Sequence, residues 1–422
     1  MLIQSLKTRR EKLAKLTDKP VFIAAGKRQS RNFPANKYPF RASSHFLYFA
    51  GIAIESAVIQ LHNGQLTLYV DKPHPGSALW HGESPTRDDL AATIGADYTH
   101  PLSELPNAIT NQFDNEIVNA IVTLRLQHDN YAISEIRNAV EVTTRSHIAG
   151  MKATGQAKTE AEVRSAMEAV ILSHNMTTAY NSIVTVHGEV LHNEHYHHAI
   201  QPTDLILADV GAETQNGWAA DVTRTWNASG KFSSTQRDLY NVVLTAHDTA
   251  IAAIKPGVEY KDLHLLACLK LAEGFVDLGI LKGDAQTLVD RDAHALFFPH
   301  GVGHLLGLDV HDMEDLGDSA GYAKGRTRSD RFGLGFLRLD RPLQTGMVVT
   351  IEPGFYQVPA ILHDPKNREK YNDVVNWKCL AQFKDVRGIR IENDVLVTDR
   401  GFEVLTQDIP VTIDQLESLV SC

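Results

Sequence analysis

Residues 204–226 read DLILADVGAETQNGWAADVTRTW, two apolar-rich runs joined by a polar connection. The connection contains Asn216-Gly217, a pair that accepts the positive φ values of a hairpin turn. The runs at 204–210 and 217–226 therefore predict two antiparallel strands that pair with each other.

The predicted hairpin carries two carboxylates, Asp209 and Asp221. A pairing centred on Gln215 places them opposite each other on one face of the sheet. Carboxylates that meet in apolar surroundings repel each other, and either a shared proton or a divalent cation offsets this repulsion. The alternative is that one of the two lies at a strand end and faces water, because turn chemistry alone fixes register weakly.

Three histidines lie close together in a segment with little side-chain bulk. Residues 299–311 read PHGVGHLLGLDVH, which places His300, His304 and His311 at spacings of four and seven. The glycines allow the backbone to approach a ligand closely. A lone histidine is more often a satisfied core residue, but this density predicts that at least one of the three ligates a metal ion.

A second pair of carboxylates follows further along the chain. Residues 347–352 read MVVTIE, a buried strand that ends in Glu352, and a buried carboxylate without a partner is costly. In residues 388–398 the alternation puts Arg390, Glu392 and Asp394 on one face, where the arginine can orient Glu392. The alternative for either segment alone is a solvated face with an Arg–Glu pair.

These segments together offer four carboxylates and an imidazole, with about four negative charges that two divalent cations neutralise. The oxygen-rich donor set favours Mn²⁺, with Co²⁺, Fe²⁺ or Zn²⁺ as alternatives. Two such ions supply an activated water and polarise a carbonyl group, so hydrolysis is the implied reaction.

The composition narrows the class of protein. At 422 residues the chain exceeds what one hydrophobic core usually organises, so two domains are expected. A net charge of −10 without a basic patch argues against a nucleic-acid partner. Cys268, Cys379 and Cys422 are odd in number and far apart, which favours a reducing cytoplasm. Residues 1–16 lack the apolar core of a signal peptide, and no apolar run is long enough for a membrane span.

The pattern along the chain predicts where the domains divide. The first part reads as alternating strands and helices, with a hairpin around His62-Asn63-Gly64. Long helical patterns begin near residue 134, and histidines and acids concentrate after them. We therefore predict a mixed α/β N-terminal domain over residues 1–132 and a catalytic domain over residues 133–422.

Five motifs, taken in order, resemble those of the pita-bread metallopeptidases, particularly proline-specific aminopeptidase P and prolidase. The motifs are Ala208-Asp209-Val210-Gly211, Asp221-Val222-Thr223-Arg224-Thr225, His300 to His311, Ile351-Glu352-Pro353-Gly354 and Gly388-Ile389-Arg390-Ile391-Glu392. The resemblance covers most of the chain. It implies an α/β protein with an α+β pita-bread C-terminal domain and a creatinase-like α/β N-terminal domain.

The resemblance also implies roles for the metal ligands. Asp221 and Glu392 would bridge two metal ions, and Asp209 would complete the shell of one of them. His304 and Glu352 would complete the other, and Glu352 would also move a proton. Twelve positions separate the two aspartates, one more than the family usually shows, which suggests a longer or bulged hairpin tip.

Further residues match the family's substrate site. His300 and His311 match histidines that stand behind the metal ligands and contact the transition state. His192 matches the histidine that lines the proline-side pocket, and Arg390 matches the buried arginine that supports Glu392. By the same resemblance His192, His300, His311 and Glu352 are the expected catalytic residues, and His192, His311 and Arg338 the expected substrate contacts.

The resemblance leaves two activities open. Arg338 matches the arginine with which prolidases cap the carboxylate of an Xaa-Pro dipeptide, although a solvated arginine is an equal alternative. The insertion at 356–383 also resembles prolidase. By contrast, Tyr38-Pro39-Phe40-Arg41 and residues 46–51 resemble the N-terminal domain of aminopeptidase P. We expect an Xaa-Pro aminopeptidase that acts on proline-containing peptides as a homo-oligomer, with the dipeptidase as the alternative.

Other classes of protein fit these residues less well. Residues 317–321 read GDSAG, the Gly-x-Ser-x-Gly pattern of a serine hydrolase, but an acidic stretch precedes them where that nucleophile needs a buried strand. His195, His197 and His198 lie among polar residues and predict an exposed loop. A non-catalytic module on the same fold is disfavoured because all the ligands are present.

Overall fold

The computed structural model describes residues 2–74, 76–106, 109 and 111–420. Met1 and Cys422, which entered the arguments on the N-terminus and the cysteines, lie outside the described residues. The chain forms two compact units, one of residues 1–135 with 215–218 and one of residues 136–214 with 219–422. A domain boundary after residue 132 stays a prediction.

The N-terminal unit combines a small sheet with short helices. Its elements are α1 (Leu2–Leu13), β1 (Val21–Ala24), β2 (Ser30–Phe33), β3 (Asn36–Lys37), α2 (Ser44–Ala50), β4 (Val58–His62), β5 (Gln65–Tyr69), α3 (Ser77–His81), α4 (Arg87–Ile94), β6 (Tyr98–His100) and α5 (Asn115–Arg125). The main sheet has the strand order β1-β4-β5-β6, with β5 and β6 parallel. The predicted hairpin is confirmed, because β4 and β5 pair in antiparallel orientation and the turn residues Asn63 and Gly64 have positive φ values of 52° and 78°.

The C-terminal unit holds the longest helices and most of the strands. In chain order its elements are α6 (Asn130–Thr154, which begins before the division), α7 (Glu160–Ser173), β7 (Thr177–Thr178), β8 (Ile183–Thr185), β9 (Leu205–Asp209), β10 (Ala212–Glu213), β11 (Thr223–Asn227), α8 (Ser234–Ala252), α9 (Tyr260–Asp277), α10 (Ala285–Asp290), α11 (Asp318–Gly321), β12 (Val348–Ile351), β13 (Gly354–Tyr356), α12 (Pro359–Leu362), α13 (Pro365–Lys370), α14 (Trp377–Leu380), β14 (Gly388–Arg390), β15 (Asn393–Thr398), β16 (Gly401–Val404) and α15 (Ile413–Val420).

Short antiparallel sheets and two packed helices build this unit. The larger sheets have the orders β11-β9-β8 and β12-β15-β16, and β13 pairs with β14. Helix α8 begins with a capping box, in which Ser233 and Gln236 exchange side-chain and backbone hydrogen bonds, and it packs against α9. Strands β9, β12 and β15 are almost completely buried, so the carboxylates at or beside their ends lie in an environment of low polarity.

The predicted hairpin of β9 and β11 forms, but its predicted register is wrong. Asp209 pairs with Thr223 rather than with Asp221, and the pairing continues to Glu213 and Ala219. This register is centred on Asn216, because the Asn-Gly turn itself lies at the centre of the connection. The displacement along β11 is two residues, so Asp209 and Asp221 still share one face as diagonal neighbours.

The segment at 388–398 is two strands rather than one alternating strand. β14 pairs with β13, while β15 lies between β12 and β16. The chain passes from one sheet to the other at Ile391 and Glu392, where the Glu392 N–H donates to the Thr223 carbonyl at 3.0 Å. Glu392 therefore lies at a junction beside the hairpin of β9 and β11.

Candidate metal centre

All ten of the predicted site residues line one cavity in the C-terminal unit. The cavity has a volume of about 350 Å³, which is in the usual range for a small-ligand site. The predicted metal ligands in its wall are Asp209, Asp221, His304, Glu352 and Glu392. The other predicted residues in its wall are His192, His300, His311, Arg338 and Arg390.

Strand β12 brings His304 beside Glu352. Residues 302–306 run along this strand, and the Glu352 N–H donates to the Val302 carbonyl at 2.7 Å. The approach requires glycine at position 303, where φ is +153° and a Cβ atom would lie 2.2 Å from the Thr350 carbonyl oxygen. As a result His304 Nε2 lies 3.7 Å from Glu352 Oε1 and 3.3 Å from Asp221 Oδ2.

The imidazole of His304 is oriented as a metal ligand. Its Nδ1 lies 3.0 Å from the Leu305 carbonyl oxygen, which can only accept, so Nδ1 carries a proton and Nε2 faces the carboxylates. Ligand atoms of Asp221, His304 and Glu392 all lie within 4.8 Å of one another, and all of these residues are buried. A single cation can therefore contact all three side chains.

The two aspartates are held by a tyrosine and an arginine. The Tyr180 hydroxyl lies 2.6 Å from Oδ1 of both Asp209 and Asp221. Arg390 Nη2 donates to Asp209 Oδ2 at 2.7 Å, in an ion pair that is almost completely buried. These contacts fix the carboxylates while leaving Asp221 Oδ2 directed toward His304.

Glu392 is oriented by Thr223, and Arg390 acts on it through the same residue. The Thr223 hydroxyl donates to Glu392 Oε2 at 2.7 Å and accepts from Arg390 Nε at 3.0 Å. Within the described part of the chain, the hydrogen bonds of the Arg390 guanidinium go to Asp209, Thr223 and Tyr356 and not to Glu392 itself. The direct support expected from the alternation is therefore replaced by a bridge, because the strand breaks between the two residues.

Burial and mutual repulsion make these carboxylates difficult to ionise together. Burial raises the pKa of Glu352 to about 7 and that of Asp209 to about 6, although Arg390 opposes both shifts. Burial, together with Asp221 and Glu352, raises the pKa of Glu392 well above its ordinary value. Divalent cations fit this donor set, because their charge removes the repulsion and stabilises all the ionised carboxylates.

The three remaining histidines line the cavity around the carboxylates. His300 Nδ1 donates to the Gly301 carbonyl at 2.8 Å, and Nε2 lies 2.8 Å from the Tyr356 hydroxyl. Burial lowers the pKa of His300 to about 3, so the ring is neutral. The His311 ring lies 4.3 Å from the ring of His304. Partial burial lowers the pKa of His192, and the positive charges of Arg390 and Arg338 lower it further.

Arg338 reaches the cavity but is paired with an acidic residue. Its Nη1 donates to Glu314 Oε1 at 2.6 Å and to Oε2 at 2.8 Å. The same carboxylate lies 3.2 Å from His311 Nδ1. Arg338, which was expected to cap a substrate carboxylate, thus forms an ion pair with Glu314 at the wall of the cavity.

Comparison with known families decides the class of protein. Residues 134–399 match the model of metallopeptidase family M24, and residues 6–119 match that of the aminopeptidase P N-terminal domain. The first match covers more than half of the chain. This chain belongs to metallopeptidase family M24. The expected family is confirmed, and the pita-bread fold follows from it.

Relatives of this M24 metallopeptidase carry two different activities in their names. A probable Xaa-Pro aminopeptidase of Verticillium alfalfae is 31% identical over 88% of this chain and 86% of its own length. A Homo sapiens Xaa-Pro dipeptidase is 30% identical over 95% of this chain and 88% of its own length. The solved structure of Escherichia coli aminopeptidase P with the inhibitor Pro-Leu has a TM-score of 0.82 and 26% identity, covering 100% of this chain and 98% of that one. The chain therefore lies in the Xaa-Pro aminopeptidase or prolidase branch of the family.

Sequence reasoning missed several residues that hold the M24 site together. They are Tyr180, Thr223 as a ligand support, Glu314, Tyr356 and Asp394 as the acceptor for the Asp221 N–H at 3.1 Å. Among the described residues, Asp394 Oδ1 is a buried oxygen without a hydrogen-bond partner. Of these residues, only Asp394 could have been found from the sequence, because the alternation in residues 388–398 places it on the same face as Arg390 and Glu392.

The alternatives from other classes do not gain support. Ser319 lies in the short helix α11, which follows a 3-10 turn at Glu314–Leu316 rather than a buried strand. This position does not form the strand-to-helix elbow of a serine hydrolase. Within the residues that the structure describes, none of the helices has both the length and the apolar character needed to span a bilayer.

Replacing Tyr180 by Phe should weaken the binding of divalent metal by about 10-fold, because outer hydrogen bonds hold metal ligands in place. The variant loses the hydroxyl that contacts both aspartates. The matched control is Tyr240→Phe, which removes a buried hydroxyl that donates to the Val411 carbonyl at 2.7 Å. Metal titration by calorimetry would contradict this role for Tyr180 if both variants bound metal equally well.

Proposed function

We propose that this M24 metallopeptidase is an Xaa-Pro aminopeptidase that requires two divalent cations, with Mn²⁺ as the first candidate. The observation that carries the proposal is the meeting of the five proposed ligand side chains and three further histidines in one cavity of about 350 Å³. Asp221 and Glu392 would bridge the cations, Asp209 would complete one shell, and His304 and Glu352 would complete the other.

When bound, the cations would supply an activated water and would polarise the carbonyl that precedes proline. The chain's own residues then have separate tasks. Glu352, which lines the cavity with its Oε1 3.7 Å from His304 Nε2, can accept a proton and return it to the departing proline nitrogen. His311 lies beside His304, where it can donate a hydrogen bond to the oxygen that gains negative charge.

The cavity wall suits a proline side chain. Leu191, Phe336 and Ile361 provide apolar surface beside His192, which matches the position of the family's proline-side histidine. A proline nitrogen in a peptide bond carries no hydrogen, so shape and apolar contact are the means of recognising it. Proline-containing peptides are therefore the proposed substrates.

The choice between the two activities rests on the state of Arg338. An arginine that caps the carboxylate of a dipeptide does so with a positive charge that is not already balanced. Here both oxygens of Glu314 lie within 2.8 Å of Arg338 Nη1 and balance its charge, which favours substrates that extend beyond proline. The match of residues 6–119 to the aminopeptidase P N-terminal domain is compatible with this choice and with prolidase, since the Xaa-Pro dipeptidase matches 95% of the chain.

Prolidase is the second candidate. It is supported by the presence of Arg338 in the cavity wall and by the similarity to the Xaa-Pro dipeptidase. Homo-oligomerisation and a reducing cytoplasm stay predictions, because they were inferred from the family resemblance and from the cysteine pattern.

A comparison of a tripeptide with a dipeptide tests the proposed function. Metal-stripped protein resupplied with Mn²⁺ should cleave Ala-Pro-Pro with a kcat/KM at least about 10-fold above that for Ala-Pro. Liberated alanine is measured for both substrates. Cleavage of the dipeptide alone would identify a prolidase, and binding without cleavage of either peptide would identify a non-catalytic module.

A further inference from the structure

Glu314 contacts two residues that line the proposed substrate cavity. Its Oε2 is 3.2 Å from His311 Nδ1, and both of its oxygens contact Arg338 Nη1. His311 and Arg338 line the cavity together with His192. Glu314 therefore links two residues of the substrate wall and adds a negative charge behind them.

The backbone holds Glu314 in a defined position. Met313, which precedes it, is buried and has a φ of 63°, a left-handed conformation that costs energy in a residue with a side chain. The Glu314 N–H donates to the His311 carbonyl at 3.3 Å, and the Asp312 N–H donates to the Leu305 carbonyl at 3.0 Å. These bonds connect the position of Glu314 to the segment that carries His304.

Glu314 carries a negative charge throughout the physiological range of pH. Partial burial raises the pKa of its carboxyl group, but hydrogen bonds and charge from His311 and Arg338 oppose this effect and lower it to about 2. The pair with Arg338 is thus a neutral unit, in which the arginine does not present an unbalanced positive charge to the cavity.

The charge of the Glu314–Arg338 pair matters because a dipeptide and a longer peptide differ in charge at the position directly after proline. A dipeptide Xaa-Pro ends in a carboxylate directly after the proline ring, whereas a longer peptide has a neutral amide there. An unpaired Arg338 would attract the carboxylate, and Glu314 cancels that attraction, which leaves the cost of removing the carboxylate from water without compensation.

We propose that Glu314 is a specificity-determining residue that sets the minimum substrate length, by neutralising Arg338 and excluding peptides whose chain ends at proline. The inference rests on the proposed function and deepens it, since it names peptides of three or more residues as the substrate class. It also assigns the discrimination to a negative charge, which can be removed with little change in side-chain shape.

The test uses two ligands that differ only in this charge, Ala-Pro and its amide Ala-Pro-NH₂. Binding is measured by calorimetry in Mn²⁺-loaded protein that carries Glu352→Gln to slow hydrolysis. With Glu314 present, the amide should bind more tightly than the acid. Adding Glu314→Gln should shift the ratio of the two dissociation constants by about 10-fold in favour of the acid.

Two further variants test whether this shift in the ratio is due to Arg338. Adding Arg338→Gln to Glu314→Gln should return the ratio toward its starting value, because the attraction is due to the arginine. The matched control is Glu259→Gln, which opens a similar Glu–Arg pair with Arg326 at 2.6 Å and similar exposure, and it should leave the ratio unchanged.

The same variants with Glu352 intact separate the two proposals. Glu314→Gln should raise kcat/KM for Ala-Pro relative to Ala-Pro-Pro by about 10-fold. Failure of the Glu352-intact protein to cleave either peptide would overturn the proposed function, while the binding ratio would still test Glu314. A ratio that is the same with Glu and with Gln at position 314 would overturn the role of Glu314.

Discussion

Replacing Glu352 by Gln reduces kcat for Ala-Pro-Pro by about 10³-fold, since proton transfer by a positioned side chain contributes on the order of 10²- to 10⁴-fold. Glutamine has nearly the same shape and keeps a carbonyl oxygen near His304. It cannot accept and return a proton, which is the task proposed for Glu352. The measurement is the steady-state rate at a Mn²⁺ concentration that saturates the variant.

A matched control separates this loss from a general loss of stability. Glu417 is a largely buried carboxylate outside the cavity, held by the Phe232 N–H, Lys231 and Arg237. Glu417→Gln removes a similar charge and should lower the melting temperature while leaving kcat close to wild type. If Glu352→Gln turns over Ala-Pro-Pro at the wild-type rate, Glu352 is not the proton carrier.

Replacing Glu392 by Gln weakens the binding of divalent metal by more than about 100-fold, which exceeds the effect expected for an outer hydrogen bond. Glu392 is the proposed second bridge, and its carboxylate lies within 4.8 Å of the ligand atoms of Asp221 and His304. Activity should fall with the loss of bound metal. Metal bound per chain is measured after equilibrium dialysis against Mn²⁺.

The stability of the metal-free variant provides the control for this prediction. Burial and neighbouring carboxylates raise the pKa of Glu392 well above its ordinary value, so its charge destabilises the metal-free protein. Metal-free Glu392→Gln should therefore unfold at the same temperature as metal-free wild type or at a higher one. A variant that binds metal as tightly as wild type would show that Glu392 is not a ligand.

The residues in the cavity could be predicted from sequence because each ligand lies in a recognisable local pattern. Asp209 and Glu352 follow apolar runs that form β9 and β12, and His304 lies among glycines that allow close packing against β12. Such patterns depend on neighbouring residues alone. They identify which side chains are polar in a buried setting, and chemistry then limits what those side chains can bind.

The contacts between distant segments could not be predicted in the same way. The register of the hairpin depended on where the Asn-Gly turn lies in the connection, and the inferred centre was one residue too early. Arg390 contacts Asp209 because the chain changes sheets after β14, and the alternating pattern does not reveal that break. Tyr180 follows β7 in a polar segment with no periodicity that would indicate its contact with two aspartates.

The most direct test of the account is a titration of metal-stripped protein with Mn²⁺, in which bound metal per chain and Ala-Pro-Pro cleavage are followed together. The account predicts negligible cleavage without metal, binding that reaches two ions per chain, and activity that rises with occupancy. Undiminished cleavage by the metal-free protein, or the absence of any bound metal at saturation, would contradict it.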